Sequence, residues 1–406
     1  MIPLHRPPFG LSQVIASALA GGDRTSLERL EAAYARFAGL TAVWLPSARA
    51  GIAWALRGSV SPETRILGPA FTCAVVHDVL AHAGGKVQWL EPDTDQLLVS
   101  PASIAAHHSN PQALVLCEVY GHTYDLGQLS RQIAAPPVIR IVDMAMAVPH
   151  PSLFARLEPR DFAVISFGAG KNMYAGWGAM GFARNQSLAG EIRRIRDAAL
   201  TPSTVKLTAR RALDACARTV GNQPLVHALA RKLRDTLRRE KFRATAGVAS
   251  AATKPAGGKL AAEWTLPSTR VDRGLALWNL ENACVAHGGR IQLAAQFQKN
   301  LAGATDLHIP RPSTDVLSHF TVRVDARIRD RVKQQLYAAG INTVTLWAFS
   351  ARLSQNEFPL ARRASSEVLN LPLSPWMTVN QVDFVCETLL RCVAHAAEGT
   401  LPATQA

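Results

Sequence analysis

The chain has 406 residues, 48% of them hydrophobic, and a formal net charge of +14. That length and apolar content exclude a disordered protein and lead to one large or two medium globular domains. No apolar run is long enough to cross a bilayer, and the start MIPLHRPPFG lacks the charged, apolar, small-residue order of a signal peptide, so a cytoplasmic protein is expected.

After an N-terminal arm of residues 1–24, helical patterns alternate with short apolar runs at 43–45, 66–67 and 87–90, then with ALVLCEVY, VIRIVDMA and FAVISFGA. Strands alternating with amphipathic helices predict an α/β domain, a mostly parallel sheet wrapped by helices, over residues 1–200. A basic helical segment and a flexible loop rich in Ala, Gly and Thr fill 201–260. Residues 261–406 read as a smaller α+β domain, with helices around 273–287, 330–339 and 379–394 and a strand at 319–324.

Between Arg193 and Arg243 stand fourteen Lys or Arg against four acids, a surplus of ten. Leu225, Leu229 and Leu233 are spaced by four, which makes this stretch an amphipathic basic helix or pair of helices. Three readings stay open for it: a solvated face on the large domain, a peripheral contact with an anionic membrane, or a site for a diphosphate-bearing substrate. Few aromatics interleave the basic residues, which argues against nucleic acid. The six cysteines form no CxxC pair and are read as reduced thiols. His77, His82, His107, His108 and His122 fall at no metal spacing, so no metal is expected.

Three local features carry chemistry. In Ser166-Phe167-Gly168-Ala169-Gly170-Lys171-Asn172, a lysine follows an apolar strand on a glycine-rich loop, where desolvation would make it a nucleophile toward a carbonyl carbon. Taken alone, it could equally be a solvated surface lysine. Asp143 ends VIRIVD, and a carboxylate at the C-terminal end of a central parallel strand faces the ligand crevice, where it can keep a pyridine nitrogen protonated. A helix N-cap is the plainer account of the same residue. Pro46-Ser47-Ala48-Arg49-Ala50-Gly51-Ile52 joins a strand to a helix whose first amides suit a phosphate, though an ordinary turn reads the same way.

The order of these features, with their local wording, resembles the DegT/DnrJ/StrS family of sugar aminotransferases, of fold type I among pyridoxal-phosphate enzymes. The resemblance spans nearly the whole chain: Pro69-Ala70-Phe71-Thr72-Cys73 and EPDTDQLLVSP, the Tyr120-Gly121-His122 strand end, IVDMAMA, SFGAGKNMYAGWGAM and EVLNLPLSP. It implies pyridoxal phosphate as cofactor, Lys171 as the Schiff-base lysine and Asp143 as partner of the pyridine nitrogen. It places Ser166, Ala48 and Arg49 at the phosphate, and Ala145, Met146 and Asn172 elsewhere around the cofactor. The usual aromatic stacking residue falls at Cys73, for which Phe71 is the substitute on the same side of an extended segment. Tyr120, His122, Trp177 and Trp347 are the implied substrate contacts, Trp347 in the strand-like NTVTLWAF. A homodimer is implied as well.

The departures mark a divergent branch. Met146 stands where the family has glutamine or histidine facing the cofactor's ring oxygen, and Ser47-Ala48-Arg49 replaces a small-Gly-Thr turn. Gly176-Trp177-Gly178-Ala179 replaces Gly-Glu-Gly-Gly, and the asparagine normally lent by the neighbouring subunit is absent, the alignment drifting to Thr265. The lysine is kept, which argues against the dehydratase branch. The expected function is therefore transfer of an amino group from an amino-acid donor such as glutamate to a nucleotide-linked keto-sugar or similar polar ketone, in polysaccharide or secondary-metabolite synthesis. The alternatives are elimination or decarboxylation on the same cofactor, or a non-catalytic relative that binds a ligand or a membrane.

Overall fold

The computed structural model describes residues 2–20, 23–107, 112–133, 136–226 and 265–398. Its larger sheet has seven strands: β1 (Thr41–Leu45), β2 (Arg65–Pro69), β3 (Lys86–Leu90), β4 (Gln112–Cys117), β5 (Ile139–Asp143), β6 (Asp161–Ser166) and β7 (Ala179–Ala183). They lie in the order β1-β7-β6-β5-β4-β2-β3. The strands from β6 to β3 pair in parallel, while β7 runs antiparallel between β6 and β1. β1 therefore points the same way as the parallel strands, and six strands end at one edge. Every residue of β4, β5 and β6 is buried, which is why these segments read as continuous apolar runs.

Alternation along β1 shows how the sheet is clamped. Trp44 joins one core with the helices α1 (Leu11–Leu19) and α2 (Asp23–Ala38), whereas Val43 and Leu45 join the other with α3 (Ala48–Arg57), α4 (Ala74–Ala81) and the later helix Gln186–Ala199. The architecture is the expected α/β sheet with helices on both faces.

A second, antiparallel sheet in the order β10-β9-β8 is built from β8 (Leu307–His308), β9 (Phe320–Val324) and β10 (Val368–Leu371). It has its own core, in which Phe297, Val332, Leu336 and Leu389 come from the helices Ala283–Leu301, Arg329–Ala338 and Val379–Glu398. The single helix expected around 273–287 is two, Arg270–Glu281 and Ala283–Leu301, which meet at Asn282 with ψ 6°. The first of them packs Val271, Leu275 and Ala276 into the larger core, although it lies in the stretch expected to form the smaller domain.

NTVTLWAF is not a strand. Only Val344 makes a bridge, to Asn370, and the next ladder position is taken by the Asn370 side chain, whose Oδ1 accepts from Leu346 N at 3.0 Å. The N-terminal segment ties the two parts together: Ile2 pairs with Ile341, and Phe9 stacks on Tyr174 with centroids 5.8 Å apart.

Of the basic stretch, the helices Gln186–Ala199 and Val205–Gly221 are described, and residues 227–264, with Leu229 and Leu233, lie outside the described residues. Arg193 and Arg196 both pair with Glu31 of α2, so their charge holds the helix to the large sheet. Among the described residues no helix is long and apolar enough to cross a membrane.

Candidate active site

Site residues gather where the co-directional strands end, the edge at which open α/β sheets bind ligands. β6 ends at Ser166, and the loop to β7 is closed by Phe167 N donating to Gly178 O at 2.9 Å and Ala175 N to Phe167 O at 3.0 Å. Gly176 and Gly178, with φ +102° and +109°, make turns that a side chain would strain. Lys171 stands on this loop with Nζ 3.2 Å from Met146 Sδ, a weak acceptor that leaves the amine available.

Asp143 is the last residue of β5, beside β6. Its Oδ1 accepts from Ala145 N at 2.9 Å, while Oδ2 meets only the Cys117 thiol at 3.9 Å. Burial pushes its carboxyl up, and the positive charge of Lys171 pulls it back. The two influence each other yet make no ion pair among the described residues. A buried acid thus lies within reach of the lysine's charge.

On the phosphate side, Ser47 caps α3 by accepting from Ala50 N at 3.2 Å. Ala48 and Arg49 are the first helical residues, at the helix end whose amides suit an anion. Ser166 Oγ accepts from Gly168 N at 3.3 Å, which leaves its O–H free to donate. Asn172 donates Nδ2 to the Met146 carbonyl, and its Oδ1 is buried with no partner.

The implied stacking and substrate residues separate into groups. Tyr120 and Trp347 stack with centroids 5.2 Å apart, and Phe71 meets both edge-on at 6.4 and 6.0 Å. The Tyr120 backbone sits at φ 57°, held by its hydroxyl donating to the Leu346 carbonyl. Cys73 caps α4 and is only half-buried. Trp177 lies elsewhere, under the Arg211 guanidinium at 4.9 Å. His122 faces Asp315 at 3.4 Å and lines a separate cavity of about 220 Å³ with Leu317 and Phe320.

Lys171 itself lines a small cavity with His5, Arg6, Arg218, Arg290 and Ser374. His5 Nε2 is 3.2 Å from His319 Nε2, a contact spanning 314 positions of sequence. Burial first, then the charges of Arg290 and Lys171, hold His5 down to about 4, and burial also holds His319 well below the ordinary imidazole value. Sequence reasoning missed these residues and Cys117, since no local motif marks them. Arg290 reads as one more cation on a helix face.

The sequence profile of the DegT/DnrJ/EryC1/StrS aminotransferase family matches residues 13–217 and 275–390. The chain belongs to this family. The DegT/DnrJ/EryC1/StrS aminotransferases work with pyridoxal phosphate, and this chain is an enzyme of that kind. Its fold is similar to that of Spr1654 from Streptococcus pneumoniae in the PMP form, with TM-score 0.71 and 17% identity over 98% of this chain and 100% of that one. It is similar also to the sugar aminotransferase CalS13 from Micromonospora echinospora, with TM-score 0.70 and 19% identity over 96% and 100% of the two chains. DesV of S. venezuelae, in complex with a ketimine intermediate, superimposes with TM-score 0.67 and 20% identity over 94% of each.

The residues fit the cofactor of this aminotransferase family. Lys171 offers an amine, the second oxygen of buried Asp143 has among the described residues no partner stronger than a thiol, and Ser166 and the start of α3 offer donors for a phosphate. One contact does not fit: Met146 has no hydrogen to give a ring oxygen.

Proposed function

We propose that the enzyme moves an amino group from an amino-acid donor, glutamate, to a keto-sugar carried on a nucleotide, in the making of a polysaccharide or secondary metabolite. What supports this reading is the placement of Asp143 at the end of β5 and of Lys171 on the loop after the adjacent β6, the lysine's charge acting on the buried acid without an ion pair among the described residues. The sugar as acceptor is supported by the likeness to CalS13, a sugar aminotransferase.

When bound, pyridoxal phosphate supplies an electron sink for the carbon that carries the amine. Asp143 holds a proton on the pyridine nitrogen, which requires its ionised form, and the cation it gains there opposes the upward push of burial. Lys171 Nζ would serve, as a free amine, as the base that takes the proton from the donor's α-carbon. Asn172 Oδ1 is an acceptor beside it. Ser166 and the α3 amides bind the phosphate and fix orientation, so the bond to be broken is held in one position.

The test is an absorption spectrum of the protein loaded with pyridoxal phosphate, before and after glutamate. The cofactor band is expected to shift as the amine arrives, and Lys171→Ala should abolish the shift. Amine should then pass to a nucleotide-linked keto-sugar in a second half-reaction. A bound cofactor that accepts no amine from any amino acid would sink the proposal.

A further inference from the structure

The cavity beside Lys171 is cationic. Lys171, Arg6, Arg218 and Arg290 line it with His5 and Ser374, and no acidic residue stands in its described wall. Arg6 lies over the Trp376 ring at 5.4 Å, and Arg218 lies over Tyr174 at 5.6 Å while pairing with Asp214 outside the cavity. Arg290 is 6% exposed. Its Nη1 donates to the carbonyls of Leu317 and Ser318 at 3.3 and 3.1 Å and to that of Leu373, but its Nε is buried with no partner among the described residues. An unsatisfied donor on a buried charge is costly, and here the missing element is an acceptor.

His5 and His319 add to this wall without adding charge. Ser318 Oγ meets His319 Nδ1 at 2.9 Å, and the two Nε2 atoms lie 3.2 Å apart, so one of them carries the hydrogen and the pair stays neutral. Position narrows the class of anion. The cavity, of about 50 Å³, opens beside Lys171, where the anion that an amine donor brings is its carboxylate.

We propose that this cavity is the subsite for the carboxylate of the amino-acid donor, with Arg290 as its buried anchor and Arg6 and Arg218 at its rim. The assignment rests on the aminotransferase reading, because an amino acid's α-carboxylate sits on the carbon whose amine must reach Lys171. Charge-assisted bonds from a fixed guanidinium would set the donor's orientation before the proton moves.

Glutarate tests this, since it keeps the donor's two carboxylates and has no amine to transfer. The protein loaded with pyridoxal phosphate is titrated calorimetrically with glutarate and, in parallel, with inorganic pyrophosphate. Glutarate is expected to bind, Arg290→Gln to weaken it at least tenfold, with the cofactor band kept and the melting temperature lowered by the loss of its carbonyl bonds, and Arg218→Gln to weaken it less. In the amine-transfer assay the Arg290 variant should raise the glutamate concentration needed for half-maximal rate far more than it lowers the limiting rate. Where Arg290→Gln does not fold, Ser374→Asp decides, because a carboxylate in the wall should exclude glutarate. Unchanged glutarate affinity in these variants, or binding of pyrophosphate alone, overturns the subsite. Amine transfer from glutamate with Arg290-independent binding sinks the subsite and leaves the enzyme reading standing, whereas absence of any transfer sinks the enzyme reading.

Discussion

At the scale of single residues the chemistry turns on Asp143. Its carboxyl is buried, pushed up by that burial, and held by one backbone donor, Ala145 N. Asparagine at this position keeps an oxygen for that donor and removes only the charge. Asp143→Asn is therefore expected to fold with an unchanged melting temperature, yet to lose amine transfer from glutamate by at least about a hundredfold, the scale of a lost proton partner at a reacting centre. Stopped-flow spectra of the first half-reaction measure it, and a rate within threefold of the parent would remove Asp143 from the mechanism. Met146 makes the contrasting point. A thioether 3.2 Å from Lys171 gives the amine almost nothing, so whatever holds Lys171 in place comes from the loop it stands on.

That loop is governed at the scale of elements. A Cβ on Gly178 would lie 2.2 Å from the Trp44 ring of β1, and the backbone there has φ +109°. Trp44 in turn stacks on Phe167, 5.2 Å away at 11°, and Phe167 N closes the loop onto Gly178 O. Gly178→Ala should thus cost about 2–4 kcal/mol and loosen cofactor binding in step, read as a lower urea midpoint and faster cofactor loss. Gly190 in the helix Gln186–Ala199 has nothing within 4 Å, so Gly190→Ala should instead stabilise by about 0.5–1 kcal/mol. Equal effects at both positions would mean that packing against Trp44 does not set the loop. What the sequence made legible follows the same division. Asp143 and Lys171 were readable because each closes an apolar strand, and parallel strands deliver their ends to one edge. The Tyr120–Trp347 stack and the meeting of His5 with His319 were not, because they join segments hundreds of positions apart that share no pattern, and the Arg290 anchor was not, because the carbonyls it meets, 27 to 83 positions away, carry no side-chain signal. NTVTLWAF misled for a related reason, since the side chain of Asn370 takes the place of the ladder.

The whole molecule should be acid-labile, and the balance of its buried groups says in which window. An unfolded imidazole takes its proton near pH 6.5. Burial holds His5 and His77 down to about 4, and holds His319 well below the ordinary imidazole value as well. Between those values the unfolded chain binds more protons, so stability present at pH 7 is lost as pH falls, by about 3 kcal/mol for each of His5 and His77. Asp272 acts in the opposite sense. Fully buried, with one oxygen bonded to Thr269 and the other unpartnered, it is pushed up to about 6. The folded chain takes that proton first, which returns about 3 kcal/mol as pH drops from 6 to 4. The smaller upward shifts of Asp143, Glu118 and Asp161 add to it. Three fully or largely buried histidines outweigh one strongly shifted acid. Against a total stability of about 5–15 kcal/mol, unfolding is expected between about pH 6 and 4. His77 donates Nε2 to the Pro69 carbonyl at 3.2 Å and leaves Nδ1 unpartnered, so His77→Gln can keep the bond and remove the titration. Urea midpoints measured from pH 7 to 4 should decline less steeply in His77→Gln than in the parent, and more steeply in Asp272→Asn, where the opposing proton is gone. A parent profile that stays flat over this range, or variants that shift it the other way, would show that these groups do not set its acid stability.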